Sequence, residues 1–261
     1  MAPFLKRKRS MKEQFKNVTD WVKKQPVKGC ITGSSLLEIF EEESHQDLDV
    51  FLYDEKSFTN IFYAMLYDPM FQILEPMEQW KADKFRTQSG DFYKFGLVTI
   101  KFQYNTCIPV NIILKKYTKD IFSVLSTFDM DIIAKGYDLE TKQILDLSQN
   151  LPNKEVTWNS WNTAYYSDEI WKVSRILRQL SRCFKYHKRG YNTDKVVLKY
   201  IELIERLEQK QDIFNSVNFT ERLKITKENT RIVKKICQIW LETHEITEEQ
   251  EQLLQLKIKE I

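Results

Sequence analysis

The sequence predicts an α+β protein, with a small mixed β-sheet and flanking helices over residues 1–155 and an α-helical domain over residues 156–261. Three observations predict it. Leu97 to Tyr104 places Val98, Ile100 and Phe102 on one face, and Ile108 to Leu114 returns after an Asn105-Thr106 turn, the pattern of a β-hairpin. Asp47-Leu48-Asp49 runs into the apolar stretch Val50-Phe51-Leu52-Tyr53, which reads as a strand. From Trp158 onward the apolar period changes: Ile170, Val173, Ile176, Leu177, Leu180 and Phe184 recur at helical steps of three and four.

Taken in order, Phe15, Val18, Trp21 and Val22 have helical spacing, and Pro26 closes a first helix spanning Met11 to Lys24. Val27 to Thr32 is a short strand. It feeds Gly33-Ser34-Ser35 and then a short helix, Leu36 to Glu43. After the strand from Asp47 to Tyr53, Glu55 to Tyr67 is a helix that packs Phe58, Ile61, Phe62 and Leu66. Met70 to Leu74 is a short strand or turn between Pro69 and Pro76, and Gln88-Ser89-Gly90-Asp91 is a turn signal. Beyond the hairpin, Asp120 to Phe128 is expected as a helix, with Asp129 to Ala134 and Gln143 to Leu147 as strands. The second half is expected to hold helices over Ser167–Lys188, Lys195–Leu207, Thr220–Lys227 and Thr230–Leu241, with a last one from Thr247.

Composition narrows the class. Hydrophobic residues at 42% and charged residues at 30% mark a globular, soluble chain, and 6 Gly with 6 Pro leave no material for long linkers. The net charge of +3 is compatible with nucleic acid without implying it. Cys30, Cys107, Cys183 and Cys237 form no CxxC pair, so neither a zinc finger nor a disulfide framework follows, and a reducing, intracellular compartment is expected. No run approaches the roughly 18 apolar residues of a membrane span, and no membrane partner is expected. Lys6-Arg7-Lys8-Arg9 leaves cytoplasmic and nuclear locations open; a solvated, disordered terminus is the ordinary reading of such a cluster, ahead of a nuclear-import signal or a nucleic-acid contact.

The chemistry gathers at Ile31–Tyr53. Side chains alternate along a strand, so Asp47 and Asp49 share a face opposite Leu48 and Val50. Two carboxylates that close repel each other unless a cation lies between them. Magnesium (or manganese) favours oxygen ligands, one or two carboxylates plus substrate phosphates. Gly33, Ser34 and Ser35, at a helix start, offer small side chains and backbone N–H groups to a phosphate. Alone, each half is ordinary turn or surface chemistry. In this order they predict a site for a nucleoside triphosphate and a metal.

A hydrophobic residue, Gly33-Ser34, a short helix and then Asp47-Leu48-Asp49-Val50 resembles the signature of the polymerase-beta-like nucleotidyltransferase superfamily. This superfamily includes poly(A) polymerases, CCA-adding enzymes and antibiotic nucleotidyltransferases, and the resemblance covers about the first half of the chain. It implies a magnesium-dependent nucleotidyltransferase domain that transfers a nucleoside monophosphate from a nucleoside triphosphate to a hydroxyl acceptor, with nucleic acid as the expected acceptor, in the manner of a polynucleotide or poly(A) polymerase. Asp47 and Asp49 are the implied metal ligands and catalytic residues.

The superfamily's third carboxylate commonly lies on the return strand of the hairpin, and the resemblance puts Asn111 there. Asn offers a carbonyl oxygen but is no base near neutral pH. Either the chain is a degenerate member, acting as a nucleic-acid-binding or scaffold subunit, or another acid substitutes. The candidate is Phe128-Asp129-Met130-Asp131, a second acid-x-acid pair entering an apolar run, with Asp131 (or Asp129) as third metal ligand and catalytic acid. The alternative is that Asp129 caps the preceding helix and Asp131 is solvated at a strand start. In the helical half Arg175, Arg178, Arg182 and Lys185 recur at steps of three or four. Arg178 and Lys185 are candidates to bind the nucleotide, against the alternative of a solvated face paired with Glu202, Glu205 and Glu208 on the next helix.

Overall fold

The computed structural model describes residues 11–36, 47–74, 97–149, 151–162, 172–210, 220–250 and 252–253, without the side chains of 34, 35, 97, 172–179, 207–210 and 220–230. The expected helix at 36–43 beyond its first residue, the turn at 88–91 and the basic cluster at 6–9 lie outside the described residues. The chain divides into two compact units, Met1–Ser126 with Ile133–Ser148, and Thr127–Ile132 with Gln149–Ile261.

The first unit is built on a seven-stranded mixed sheet. Its strands are β1 (Gly29–Thr32), β2 (Leu48–Leu52), β3 (Phe71–Ile73), β4 (Leu97–Tyr104), β5 (Ile108–Lys115), β6 (Lys135–Asp138) and β7 (Ile144–Asp146). Their order across the sheet is β3-β4-β5-β2-β1-β6-β7. Among the described residues β2 and β5 run parallel and the other five pairings are antiparallel. A parallel pair needs a long crossover, and the chain between Leu52 and Ile108 supplies it.

Alternation decides which face is core. Leu48, Val50 and Leu52 on β2, Val110, Ile112 and Leu114 on β5 and Val98, Ile100 and Phe102 on β4 are buried in one cluster. Two helices cover it, α1 (Met11–Lys23) and α2 (Glu55–Tyr67). α1 buries Val18 and Val22, one turn apart. α2 buries Phe58, Ile61, Phe62 and Met65, the i, i+3, i+4, i+7 stripe of an amphipathic helix. It starts at Asp54, whose side chain accepts the Ser57 N–H at 2.6 Å. An aromatic layer joins helices to sheet: Trp21 to Phe71 at 4.6 Å, Phe71 to Tyr104 at 5.0 Å and Phe62 to Phe102 at 5.9 Å.

The hairpin turns at Asn105 and Thr106, both at positive φ (48° and 59°), and the Cys107 N–H donates to the Tyr104 carbonyl. A third loop residue sets the register, so Lys101 pairs with Asn111. α3 (Ile121–Leu125) is capped by Asp120 and Ser123 in a reciprocal box and rests on Gly136, where an added Cβ would approach Ile121 Cδ1 to 2.8 Å.

Two expectations are corrected here. The helix expected to reach Phe128 ends at Leu125, because Asn159 and Asn162 side chains take the Thr127 and Phe128 carbonyls. The strand expected over Asp129–Ala134 is instead a single bridge from Met130 to Trp158 and a 3-10 turn at Asp131–Ile133. The strand that borders β1 is the following segment, β6.

In the second unit α4 (Lys172–Lys188), α5 (Asp194–Lys210) and α6 (Thr220–Thr243) follow one another. Leu180, Cys183 and Phe184 on α4, Val196, Val197, Tyr200, Leu203 and Ile204 on α5, and Val233, Ile236, Cys237 and Trp240 on α6 are buried. The two helices expected at 220–227 and 230–241 are one, since Glu228 and Asn229 do not break a helix as Gly or Pro would. Among the described residues no helix is long and apolar enough to cross a membrane.

Candidate active site

β1 ends at Thr32 and the chain turns at Gly33, buried with φ of +82°. That left-handed conformation costs an L-residue about 1–2 kcal/mol and costs glycine little. The turn continues as a 3-10 helix over Gly33–Leu36. A Cβ on Gly33 would lie 3.7 Å from Asp49 Oδ2, so the turn passes directly beside this acid. The two halves of the sequence motif, fourteen positions apart and more, therefore meet.

Sheet register builds the rest. Thr32 pairs with Asp49, Asp49 with Asn111, and Asn111 with Lys101. Directly paired side chains share a face, about 4.5–5.5 Å apart at Cβ. Thr32, Asp49, Asn111 and Lys101 thus form one row across β1, β2, β5 and β4, on the face opposite the helix-covered core. Asp47, one step before β2, is exposed; Asp49 is half-buried; Lys101 is exposed.

Asn111 ties the acids together. Its Nδ2 donates to Asp49 Oδ1 at 2.7 Å and to Asp47 Oδ2 at 3.2 Å, using both of its protons. The residue is only 7% exposed, and its Oδ1 is buried without a hydrogen-bond partner. An unpartnered buried acceptor costs about 1–3 kcal/mol. The arrangement is a neutral donor holding two like charges, with an idle carbonyl oxygen on the same amide.

Further along the same face, the Cys30 thiol lies against the Tyr53 hydroxyl, which donates to Asp138 Oδ2 at 2.8 Å. Asp138 Oδ1 accepts the Glu140 and Thr141 N–H groups at 2.9 and 2.7 Å. Burial pushes the Cys30 thiol up to about 12 and raises the Tyr53 hydroxyl well above its usual value. Burial works to raise Asp138 as well, but the Thr141 N–H, the Tyr53 hydroxyl and the Glu140 N–H outweigh it and hold the carboxyl below 3.8. Neutral Cys30 and Tyr53 with an ionised Asp138 brace β1, β2 and β6 behind the acid row.

The structure brings Asp47, Asp49 and Gly33 together and adds Asn111. Ser34 and Ser35 occupy the turn, but their side chains, like those of Arg175 and Arg178, lie outside what is described. Lys185 is exposed on α4. Asp131 is 1% exposed, and its carboxylate accepts the N–H groups of Ile132 (2.9 Å), Thr157 (2.9 Å) and Gln149 (3.3 Å). Asp129, 2% exposed, pairs with Arg182 Nη1 at 3.1 Å and accepts the Tyr200 hydroxyl at 2.7 Å. The stripe residue Arg182 is thereby turned inward. Among the described residues no group of three or more His, Cys, Asp or Glu side chains is placed to hold a metal. Lys101 escaped the sequence reading; the strict alternation of β4 was the signal that put it on the acid face.

Residues 6–221 match the profile of a family described as Gabija anti-defense 2 family protein. No curated protein matches the chain. Among solved structures it is similar to the Thermotoga maritima CCA-adding enzyme complexed with tRNA, at 15% identity over 85% of this chain and 50% of that one, with a TM-score of 0.44. An apo CCA-adding enzyme gives 12% identity over 85% and 51% of the two chains, with a TM-score of 0.41. A CCA-adding enzyme in complex with CTP gives 13% identity over 90% and 57%, with a TM-score of 0.38. The chain spans about half the length of these structures.

Proposed function

The chain belongs to the Gabija anti-defense 2 family, and from that premise we propose that it counters the Gabija defence as a divalent-metal-dependent nucleotidyltransferase. It would move a nucleoside monophosphate from a nucleoside triphosphate to a hydroxyl acceptor. The observation that carries this reading is the convergence of Asp47 and Asp49 on the Asn111 amide beside the positive-φ turn at Gly33.

The residues fit a magnesium ion. Two carboxylates face one another across an amide, one exposed and one half-buried, and a carbonyl oxygen on that amide has no partner. Hard divalent ions take such oxygens together with substrate phosphates. Asp47 and Asp49 would hold the ion, with Asn111 Oδ1 as a neutral third oxygen. When bound, it supplies charge neutralisation for a triphosphate and lowers the pKa of an oxygen nucleophile. The chain's own residues do the remainder. The backbone N–H groups of the turn at Gly33 would meet a phosphate, and Lys101 would bring a positive charge to the same face for a triphosphate or a leaving pyrophosphate. A polynucleotide is the proposed acceptor; taken by itself, the second unit has exposed Lys185 and Lys188 on α4, side chains suited to a phosphate backbone.

A second reading has its own observation. Asn111 is neutral, and the carboxylates of Asp129 and Asp131 are both occupied by partners within the second unit. This favours a non-catalytic nucleic-acid-binding or scaffold protein. One experiment separates the two. The purified chain is incubated with labelled nucleoside triphosphates, magnesium, and RNA, DNA or Gabija protein as acceptor. In parallel it is expressed in cells carrying that defence. The first reading expects Asp47→Ala with Asp49→Ala to lose at least about 100-fold in transfer and to lose the anti-defence effect. Undiminished transfer in the double variant would falsify it. Salt-sensitive nucleic-acid binding and an intact anti-defence effect without any transfer would establish the second.

A further inference from the structure

We propose that the acid row takes a single divalent cation and that Asn111 is its gate. This rests on the metal-site reading above. The Asn111 amide spans Asp47 and Asp49 through Nδ2, at 3.2 and 2.7 Å. An amide in that position bridges the carboxylates but leaves their two charges in place. A divalent ion does both tasks, and its arrival makes the inward N–H groups repulsive. The Asn side chain has a broad, roughly two-fold torsion about its last bond, so a half-turn exchanges Nδ2 for Oδ1 within nearly the same volume.

The exchange trades one unpartnered buried group for another. Oδ1 now has no hydrogen-bond partner although the residue is more than nine-tenths buried. The half-turn gives up the two bonds to the acids, which the ion replaces, and leaves Nδ2 in the place where Oδ1 now has no partner. Charge counting then sets the number of ions. Asp47 and Asp49 bring two negative charges and Asn111 none, which balances one divalent ion. Lys101, paired with Asn111 on β4 and exposed, adds a positive charge to the same row. A second ion on that side would meet an ammonium and find no third carboxylate, so that a nucleotide's phosphates would have to hold it without the chain's help.

The test uses the full chain and manganese. Manganese bound per chain is measured by electron paramagnetic resonance, with and without a non-hydrolysable nucleoside triphosphate analogue. One ion per chain is expected in both conditions. Asn111→Asp is expected to bind two in the presence of the analogue, and Asn111→Ala to bind its one ion about tenfold or more weakly. In the wild-type protein, magnesium is expected to move the Asn111 side-chain amide resonances as their hydrogen bonds to the carboxylates are lost. Two ions in the wild-type chain, or Asn111 resonances that stay in place at saturating magnesium, overturn the proposal while leaving the metal site standing. No manganese bound at all overturns the metal site itself. Both wild-type readouts hold even if the Asp variant folds poorly.

Discussion

Replacing Asp131 decides whether it belongs to the chemistry or to the fold. Its Oδ1 accepts the Ile132 and Thr157 N–H groups, both at 2.9 Å, and its Oδ2 accepts Gln149 N–H at 3.3 Å. The first two are well-formed bonds to a charged acceptor, and the third is near the limit of the geometry. Bonds to a charged group contribute about 1.5–3 kcal/mol each, and a buried N–H left without an acceptor costs about 1–3 kcal/mol. Asp131→Ala is therefore expected to cost about 3–5 kcal/mol. Asp131→Asn keeps Oδ1 as a neutral acceptor but turns an N–H toward Gln149, and about 1–2 kcal/mol is expected. Urea denaturation gives the total. Because the two units need not unfold together, hydrogen exchange at the Ile132 and Thr157 amides gives the local answer, with faster exchange in both variants. The reasoning fails if Asp131→Ala loses less than about 1 kcal/mol, keeps those amides protected, and yet abolishes nucleotide transfer.

Two other outcomes follow from geometry already described. Gly33→Ala is expected to lose about 1–2 kcal/mol in urea denaturation through its φ of +82°, with no clash, since the new Cβ stands in ordinary contact with Asp49; a neutral result would mean that the turn relaxes freely. Asp138 is depressed below 3.8 in the folded state, so its stabilisation is complete above that value and is lost as pH falls through the folded pKa. Asp138→Asn is accordingly expected to be less stable than wild type at pH 7, with the gap closing below about pH 4; a gap independent of pH would show that the Tyr53 and Thr141 contacts do not depend on the charge.

The α+β class was legible because its two periods are clean. α2 occupies Glu55–Tyr67, as its stripe of Phe58, Ile61 and Phe62 requires, and the hairpin strands occupy Leu97–Tyr104 and Ile108–Lys115. The site was half legible. Alternation alone places Asp47 and Asp49 on one face. It cannot say which residue of a neighbouring strand stands opposite, because that depends on register. A two-residue turn at Asn105-Thr106 would set Lys101 against Val110; the extra loop residue sets it against Asn111. The Phe128–Ala134 segment misled for a different reason. Alternation equates a polar side chain with a solvent-facing one. Here Asp129 and Asp131 are as buried as Met130 and Ala134, because Arg182, Tyr200 and three backbone N–H groups receive them. Those partners come from 18 to 71 positions away, apart from Ile132, and no local pattern announces them.

The same long-range pairing gives Asn111 its meaning. A carboxylate at that place would pair in register with Asp49 and set three like charges side by side in a partly buried row. Such a row needs an ion, or a shared proton, in order to fold. The amide removes one charge and supplies two N–H donors, and the row then stands by itself. That self-sufficiency has a chemical cost on the proposed reading. A neutral amide does not take a proton from an acceptor hydroxyl near pH 7, so Asp47 and Asp49 carry both the ion and whatever basicity the site has. In the folded sheet the neutral Asn111 is the group that keeps Asp47 and Asp49 in place.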